Sequence, residues 1–372
     1  MKIIFWQNIL SPHQSAYIRA LANKKNIEVT LIVEKDISRW RKDMGGSIPN
    51  FGNAKILIRP EKAEIFQILK ETEHDSVHIF SGIRAYPLVK AVFLQSLSFN
   101  ITRGILSESA DLRGLKGVFR LGLGKLEAFR FHNKIDFVLA IGNLGVQWFQ
   151  KCGFSKNKIY PFGYFVENFT ENKCDFRKNI EYRKDKFHLI FIGQLIKRKG
   201  IDILLQALNG LKEIDWFLDI IGDGKERKNI ENLSKILNLS KRAIFYGAKN
   251  NIETIGLLKT ADLLVLPSRY DGWGAVVNEA LMCGTSVVCS NACGAADLIK
   301  DSFRGEIFKT GSTLDLRRIL AYQILRGKKN PELSSKIKTW SKKIEGETAA
   351  NYLLEVIDAF LNKKQKPIPP WL

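Results

Sequence analysis

The sequence predicts an α/β fold made of two doubly wound parallel sheets, one in each half of the chain. Apolar runs of strand length alternate with segments whose apolar residues recur at helical spacing, and the alternation is present in both halves. The length of 372 residues favours two domains. A hydrophobic content of 45% is sufficient for two cores.

In the first half, six apolar runs predict strands. They cover residues 2–6, 28–33, 55–58, 77–80, 102–106 and 137–141. The segments between and after these runs have helical periodicity. They cover residues 14–23, 63–73, 87–97, 117–132 and 144–151. The first half is therefore expected to form one Rossmann-like unit.

The second half repeats this order of strand, loop and helix. Its predicted strands cover residues 187–192, 216–221, 243–246 and 263–266. Ligands of doubly wound sheets bind outside the carboxyl ends of the strands, where Gly193, Gly222, Gly247 and Ser268 fall. For Gly222 and Gly224, a tight turn without ligand contact is the simpler explanation.

Residues 168–186 are polar and poor in aliphatic side chains, which is typical of a linker. We therefore predict a first domain over residues 1–167, a linker over 168–186 and a second domain over 187–345. Apolar residues recur at helical spacing after residue 345, and they predict a final helix within 346–372. The Pro-rich end, 367–372, is either a docked or a frayed tail.

The most informative segment is YDGWGAVVNEALMCGTSVV, residues 270–288. It follows a predicted buried strand, and a helix is expected to begin at Gly274. Free N–H groups at a helix start suit a diphosphate or a sugar hydroxyl. Asp271 lies on the loop, and Glu279 lies roughly 7–8 Å along the helix axis. Either carboxylate can accept hydrogen bonds from sugar hydroxyls, although a helix-start charge and a solvated helix face are the commoner roles.

A second polar segment, GQLIKRKG at residues 193–200, connects the strand 187–192 to a helix. A cationic loop at this junction suits a diphosphate, and the ammonium of Lys199 is a natural phosphate partner. Solvated cations at a helix start are the alternative. They oppose the helix dipole slightly, which mildly favours an anionic ligand.

These segments resemble two motifs of glycosyltransferase family 4. Residues 270–288 are similar to the acidic E-x7-E signature, with Asp271 in place of the first Glu and Glu279 as the second. Residues 193–200 resemble the G-R-L-x-x-x-K-G phosphate loop, with Lys199 as its Lys and Gln194 in place of its Arg. Lys197 or Arg198 is then the candidate for the missing positive charge. The turn at 222–224 resembles the family's I-G-x-G.

The resemblance implies a GT-B fold, retention of anomeric configuration and a final helix that crosses back onto the N-terminal domain. It implies that Glu279 binds ribose, Lys199 stabilises the departing diphosphate, and Asp271 holds the donor sugar. The complete predicted donor site is Gly193, Gln194, Arg198, Lys199, Gly222, Gly247, Asp271, Gly272, Trp273, Gly274, Ala275 and Glu279. The predicted catalytic residues are Asp271, Lys199, Glu279, Glu108 and His13.

Two of these candidates lie in the first half, where the resemblance implies that the acceptor binds. His13 follows the first strand and is positioned to contact donor phosphate or acceptor, although Ser11 and Pro12 also suit a simple helix start. Glu108 ends a predicted strand and is a candidate for acceptor binding or general base catalysis. A surface loop acid is the alternative for Glu108.

The chain carries 58 Lys and Arg against 38 Asp and Glu, a net charge of +20, which calls for an anionic partner. Residues 113–131 interleave cations with apolar residues, as expected of a segment at an anionic membrane surface. Alternatively, this helix packs on the sheet through Phe119, Leu123, Leu126 and Phe129. No recognition helix, zinc finger or aromatic RNA-binding signature points to nucleic acid.

We expect a cytoplasmic protein, peripheral on the inner face of the cytoplasmic membrane, because no apolar stretch suits a transmembrane helix or signal peptide. The five cysteines lack paired C-x-x-C spacing, so we predict buried thiols rather than disulfides or zinc ligands. The sequence has no D-x-D motif, with which metal-dependent transferases of the other major fold hold the donor diphosphate through a divalent ion. No metal is therefore expected, and no other cofactor is expected either.

The sequence thus predicts a retaining glycosyltransferase that moves a sugar from a nucleoside diphosphate to an acceptor hydroxyl. The acceptor is a glycan or a lipid-linked intermediate of capsule, lipopolysaccharide or another cell-surface polymer. A nucleotide-sugar epimerase or hydrolase of the same fold is the alternative within enzymes. A basic nucleic-acid-binding protein is the alternative from another class.

Overall fold

The computed structural model describes residues 1–37, 48–167, 185–300 and 303–372. Two compact units make up the chain. Unit 1 contains Met1–Glu167 together with Lys343–Leu372, and unit 2 contains Asn168–Lys342. The predicted linker, 168–186, lies outside the described residues except for its last two positions.

Unit 1 holds a seven-stranded, all-parallel sheet in the order β3-β2-β1-β4-β5-β6-β7. The strands are β1 (Lys2–Ile9), β2 (Glu28–Lys35), β3 (Lys55–Ile58), β4 (Ser76–Phe80), β5 (Thr102–Ser107), β6 (Phe137–Ile141) and β7 (Ile159–Phe162). The helices are α1 (Pro12–Ala22), α2 (Lys62–Glu71), α3 (Pro87–Ser96), α4 (Gly114–Phe131) and α5 (Gly142–Cys152). The doubly wound α/β architecture is confirmed.

The six strands predicted in the first half are confirmed, and a seventh was missed. The missed strand, β7, has only four residues and includes Pro161, which cannot donate a backbone hydrogen bond. β7 is the last strand of the sheet order, and an edge is where a sheet tolerates proline.

Trp6 and His78 form a buried polar pair inside unit 1. The indole N–H of Trp6 donates to Nδ1 of His78 at 3.0 Å, so that nitrogen is unprotonated. Nε2 of His78 lies 3.0 Å from the hydroxyls of Thr72 and Ser76. Burial, and secondly the charge of Arg103, lowers the pKa of His78 to about 3. This histidine is therefore neutral at physiological pH.

The end of the chain packs within unit 1. The final helix, observed at Gly346–Leu361, packs along α1. The tail after it is docked rather than frayed, because Trp371 is buried against three aromatic rings. Its ring centroid lies 6.4 Å from that of Phe162, 5.2 Å from that of Phe165 and 5.3 Å from that of Tyr352.

Unit 2 holds a six-stranded, all-parallel sheet in the order β10-β9-β8-β11-β12-β13. The strands are β8 (Phe187–Ile192), β9 (Trp216–Ile221), β10 (Ala243–Gly247), β11 (Leu263–Leu266), β12 (Ser286–Ser290) and β13 (Gly305–Phe308). The helices are α6 (Ile201–Asn209), α7 (Arg227–Ile236), α8 (Asn251–Thr260), α9 (Val276–Met282), α10 (Thr313–Arg326) and α11 (Pro331–Ser341). The final helix of unit 1, Gly346–Leu361, is α12.

The alternative in which α4 packs through Phe119, Leu123, Leu126 and Phe129 is wrong for three of these four residues, and only Leu123 is half-buried. Phe119, Leu126 and Phe129 are exposed, whereas the buried positions are Gly117, Gly124, Ala128 and Phe131. The cause is steric. A Cβ on Gly124 would lie 2.6 Å from the sulfur of Cys152. Helix α5 therefore approaches α4 more closely than any larger residue at position 124 would permit. The helix thus packs through a face that carries Gly117, Gly124, Ala128 and Phe131, and it turns Phe119, Leu126 and Phe129 outward.

Within the parts of the chain that the structure describes, no helix has both the length and the apolar character needed to cross a membrane.

Candidate functional site

Three glycine-containing turns meet at the carboxyl ends of β8, β9 and β10. The backbone N–H of Gly193 donates to Ile221 O at 3.0 Å, and that of Gly222 donates to Gly247 O at 2.8 Å. Gly222 has φ +134°, and a Cβ there would lie 1.9 Å from Gly193 O. Backbone packing alone therefore requires glycine at 222.

Lys199, Arg198 and Asp271 converge at the carboxyl edge of the unit 2 sheet. The ammonium of Lys199 lies 2.5 Å from Oδ2 of Asp271, and the guanidinium of Arg198 lies 3.4 Å from Oδ1. Asp271 is buried. Two cations thus share one enclosed carboxylate, and the resulting cluster has a net positive charge.

The second cation of this cluster is Arg198 and not its neighbours. Arg198 also donates to the carbonyl of Tyr270 at 2.9 Å, which holds its side chain over the loop. Gln194 and Lys197 are exposed. β8 and β11 are adjacent parallel strands, so the loop after β8 and the loop after β11 both leave the carboxyl edge of the sheet. This adjacency brings Arg198 and Lys199 to Asp271.

Arg269, on the loop after β11, forms an ion pair with Asp202 in the first turn of α6, and sequence reasoning missed both residues. The guanidinium of Arg269 donates to both carboxylate oxygens of Asp202, at 2.7 and 2.6 Å, and to Lys197 O at 2.9 Å. Burial works to raise the pKa of Asp202, but the hydrogen bonds and charge of Arg269 outweigh it and lower that pKa. Arg269 lies two residues before Asp271, and no other sequence signal marks it.

The backbone of Asp271 is fixed on both sides. Its N–H donates to Ala292 O at 2.9 Å, and its carbonyl accepts from Gly294 N at 3.0 Å. The hydroxyl of Ser268 lies 3.4 Å from Oδ2. The carboxylate is therefore positioned by the fold before any ligand arrives.

Trp273 anchors the loop that follows Asp271. Its side chain is buried, and its indole N–H donates to Oδ1 of Asn278 at 2.8 Å. A contact between Trp273 and a donor would therefore come from its backbone. The sequence analysis missed Asn278, whose side chain holds the indole of Trp273.

The helix predicted to open at Gly274 begins two residues later. α9 spans Val276–Met282, with Ala275 at its N-cap position, and Gly274 O accepts from Val277 N at 2.9 Å. Such boundary shifts are common for short helices. Glu279 lies in the first turn of α9 and is half-buried, and Gly272 and Gly274 are buried in the loop.

The two candidates of unit 1 come close to one another through Tyr164. The ring of His13 stacks on that of Tyr164, with centroids 5.9 Å apart. Burial, and then the charge and hydrogen bond of Glu108, raises the pKa of Tyr164 well above its ordinary value. Glu108 also raises the pKa of Tyr86, after burial. Sequence reasoning missed Tyr164 because no motif surrounds it.

Glu108 and Tyr164 line a cavity of about 480 Å³ in unit 1. The cavity opens at the carboxyl ends of β1, β4 and β5, where Ser11, Ser81 and Ser107 supply hydroxyl groups. Its size falls within the range of small-molecule sites, and its lining combines apolar side chains with hydroxyl and carboxylate groups that suit a hydroxyl-bearing ligand.

Four cysteines lie in the described ranges, Cys152, Cys283, Cys289 and Cys293, and all four are free, buried thiols as predicted. Cys174 lies outside those ranges. Burial raises the pKa of Cys283 to about 12. Among the residues that the structure describes, no group of three or more His, Cys, Asp and Glu side chains could hold a metal ion.

Comparisons with known proteins identify the family. Residues 172–340 match the family described as glycosyl transferases group 1. The O-antigen biosynthesis glycosyltransferase WclY of Escherichia coli is 33% identical over 283 residues, which are 74% of this chain and 74% of WclY. Two uncharacterised glycosyltransferases of Methanocaldococcus jannaschii, MJ1607 and MJ1178, are 33% and 30% identical. Those alignments cover 40% and 58% of this chain, but only 38% and 63% of the relatives' own lengths.

Solved structures share the fold. Anabaena HepE in complex with UDP superposes with a TM-score of 0.73 at 16% identity, and the match covers 96% of this chain and 100% of HepE. The lipopolysaccharide outer core galactosyltransferase WaaB gives 0.69 at 19% identity, with 98% and 100% covered. Both likenesses show the GT-B fold, and the relationship to WclY shows the family. The chain belongs to the group 1 glycosyltransferases.

Proposed function

We propose that the protein is a retaining glycosyltransferase that moves a sugar from a nucleoside diphosphate sugar to an acceptor hydroxyl. In this reaction the bond between the anomeric carbon and the diphosphate oxygen breaks. A bond from that carbon to the acceptor oxygen forms, and the acceptor proton leaves. Retention of configuration rests on the family resemblance.

The observation that carries the proposal is the convergence of Lys199 and Arg198 on Asp271 at the sheet edge. A diphosphate placed there would take over hydrogen bonds that the carboxylate now receives from the two cations. The carboxylate would then accept hydrogen bonds from hydroxyls of the donor sugar, while the backbone of Gly272, Trp273, Gly274 and Ala275 lies beside it.

In this proposal Lys199 stabilises the negative charge that develops on the departing diphosphate. A cation fixed before the reaction in a partly dehydrated site stabilises that charge strongly. Arg198 supplies the positive charge that Gln194 lacks. With two cations available, the leaving group needs no metal ion, and we propose a metal-independent reaction.

Glu279 is proposed to bind the ribose hydroxyls of the donor. It lies in the first turn of α9, directly after the loop that carries Asp271. The turns at Gly193, Gly222 and Gly247 line the same edge of the sheet, where nucleotides bind in doubly wound folds. HepE, which shares the fold, was solved in complex with UDP, and that complex supports a nucleotide donor here.

The acceptor is proposed to bind in the unit 1 cavity. Glu108 there is a candidate for the group that accepts the proton of the acceptor hydroxyl, and Tyr164 holds it in place. His13 is proposed to act beside them through its stacking on Tyr164. The acceptor is a glycan or a lipid-linked glycan intermediate.

The biological setting is proposed to be bacterial cell-surface polysaccharide, either capsule or lipopolysaccharide. The names of WclY and of the lipopolysaccharide glucosyltransferase WaaG, which is 28% identical over 152 residues, support it. In this setting the protein works in the cytoplasm, peripherally on the inner face of the cytoplasmic membrane, where nucleotide sugars are available.

The test begins with thermal melting in the presence of uridine, guanosine, adenosine and cytidine diphosphates. The diphosphate that stabilises the protein selects the donors, whose slow hydrolysis and transfer to glycan acceptors are then measured with and without EDTA. The anomeric configuration of the product is read by NMR. Transfer with retention, unaffected by EDTA, is expected.

Two results would contradict the proposal. Epimerised or hydrolysed sugar without any transfer, in the presence of acceptors, would indicate a nucleotide-sugar epimerase or hydrolase. Binding of random DNA with no response to any nucleoside diphosphate would indicate a nucleic-acid-binding protein instead.

A further inference from the structure

Helix α4 presents large apolar side chains to solvent on the side opposite its packed face. We call Leu115, Val118, Phe119, Leu126 and Phe129 the apolar stripe. Their exposed fractions are 90%, 70%, 68%, 61% and 83%. At 3.6 residues per turn these five positions lie within roughly 100° of the helix circumference. A continuous exposed stripe of this kind marks an interaction surface.

Cations flank the apolar stripe on both sides. Lys125 lies along one border, and Lys116 and Arg130 lie along the other. The one acidic residue of α4, Glu127, is ion-paired with Arg84 at 3.4 Å. The exposed side of the helix therefore combines apolar surface with positive charge.

The charge pattern indicates which kind of partner binds this surface. An apolar stripe bordered by Lys and Arg matches the interface of an anionic bilayer, where acyl chains take the apolar groups and lipid headgroups take the cations. A second copy of the chain would bring like charges together across a symmetric contact. A nucleic acid would leave the apolar side chains in water. The protein's net charge of +20 also favours an anionic surface, as the cations beside the apolar stripe do.

We propose that α4 lies flat on an anionic membrane, with its apolar stripe inserted between the lipid headgroups and its cations on their phosphates. The consequence for the acceptor rests on the proposed function. Gly124 and Glu127, from the other side of α4, line the unit 1 cavity. A docked α4 would hold that cavity beside the bilayer, where a lipid-linked acceptor presents its hydroxyl groups.

The experiment measures sedimentation of the full chain with vesicles of phosphatidylcholine, with and without 30% phosphatidylglycerol (about one anionic lipid in three). We expect binding to the anionic vesicles, and weaker binding as NaCl rises from about 0.1 to 0.5 M, because salt screens the charges. The variant Phe119→Ser/Phe129→Ser should bind at least about tenfold more weakly, since two aromatic side chains no longer enter the interface.

Two matched controls come from α2 of the same unit. Phe66→Ser removes another exposed aromatic residue and should bind as the native chain does. Lys62→Glu/Lys70→Glu changes the net charge as much as Lys116→Glu/Lys125→Glu does, but only the α4 pair should lose binding at least about tenfold. Melting temperatures within a few degrees of the native value would show that the variants are folded.

Full binding by the serine variant, or equal losses from the α2 and α4 charge reversals, would overturn the proposal. So would a dimer in solution that the serine variant abolishes, because the stripe would then be covered by a second copy. Donor hydrolysis in solution should be unchanged in all these variants. A failure of vesicle binding with donor hydrolysis intact would reject the membrane surface and leave the proposed function standing.

Discussion

Lys199 and Asp271 are joined by an ion pair in which ammonium and carboxylate lie 2.5 Å apart, although 72 residues separate them in the chain. Both side chains are largely enclosed, so water screens the pair only partly. The residue proposed to stabilise the leaving diphosphate is thus held, before any donor binds, by the residue proposed to hold the sugar.

Replacing Lys199 with methionine should slow donor turnover. We expect kcat to fall by about 10²–10³-fold, because removal of one fixed group that stabilises transition-state charge has effects of that size. Steady-state hydrolysis and transfer measure it. Lys197→Met is the matched control, since Lys197 is exposed in the same turn and should retain nearly native turnover. Equal losses in the two variants would contradict a specific role for Lys199.

Replacing Asp271 with asparagine should separate nucleotide binding from catalysis. Without the carboxylate, the charges of Lys199 and Arg198 are fully available to the diphosphate. If their attraction to the diphosphate strengthens by about 1 kcal/mol, the diphosphate binds roughly fivefold more tightly. Turnover should fall, because the sugar hydroxyls lose the charged carboxylate and one of its two acceptor oxygens. Titration calorimetry with the stabilising diphosphate measures the affinity. Asp215→Asn, at the opposite edge of the sheet, should change neither quantity, and weaker binding by Asp271→Asn would contradict the prediction.

Replacing Trp273 with phenylalanine should lower both stability and donor affinity. The substitution removes the buried hydrogen bond to Asn278, and loss of one such hydrogen bond costs about 0.5–1.5 kcal/mol of stability. Trp216→Phe is the control, because Trp216 also donates a buried hydrogen bond, to Leu211 O at 2.7 Å. Urea unfolding should detect a loss in both variants, and donor binding should weaken only in Trp273→Phe. Native donor affinity in that variant would show that the loop does not depend on the indole.

Acid should destabilise unit 1 through His78. The pKa of His78 is about 3 in the folded protein and about 6.5 in an unfolded chain, so below pH 6.5 the unfolded chain takes up a proton that the folded chain excludes. The contribution to stability is complete above pH 6.5 and is lost as the pH falls towards 3, by up to about 5 kcal/mol. Urea unfolding at several pH values checks this. His78→Gln should flatten the dependence, and an unchanged slope would contradict the assignment.

Much of the fold could be predicted because buried parallel strands appear in a sequence as continuous apolar runs. β8 is such a run, and its predicted bounds are those observed. β13 was missed because Gly305–Phe308 is short and carries Glu306. The sequence left two roles for α4 open, and its packing alternative chose the wrong face. Periodicity shows that a helix has an apolar face, but the close approach of α5 at Gly124 decides which face packs.

The site could be predicted residue by residue but not as an arrangement. Motif spacing indicated Lys199 and Asp271 separately, whereas their ion pair depends on β8 lying next to β11 in the sheet. The same adjacency brings Arg269 to Asp202, and no local pattern encodes it. Tyr164 connects His13 to Glu108 from a segment without a motif, so only tertiary structure identifies it.

Unit 1 takes its residues from both ends of the chain, with the whole of unit 2 between them. A ribosome that has synthesised Met1–Glu167 must translate the whole of unit 2 before α12 emerges, which takes roughly 10–35 s at about 5–20 residues per second. During that interval α1 lacks the helix that covers it. Unit 2, which is continuous, can therefore finish folding first, and the half of the protein that is translated first becomes native last.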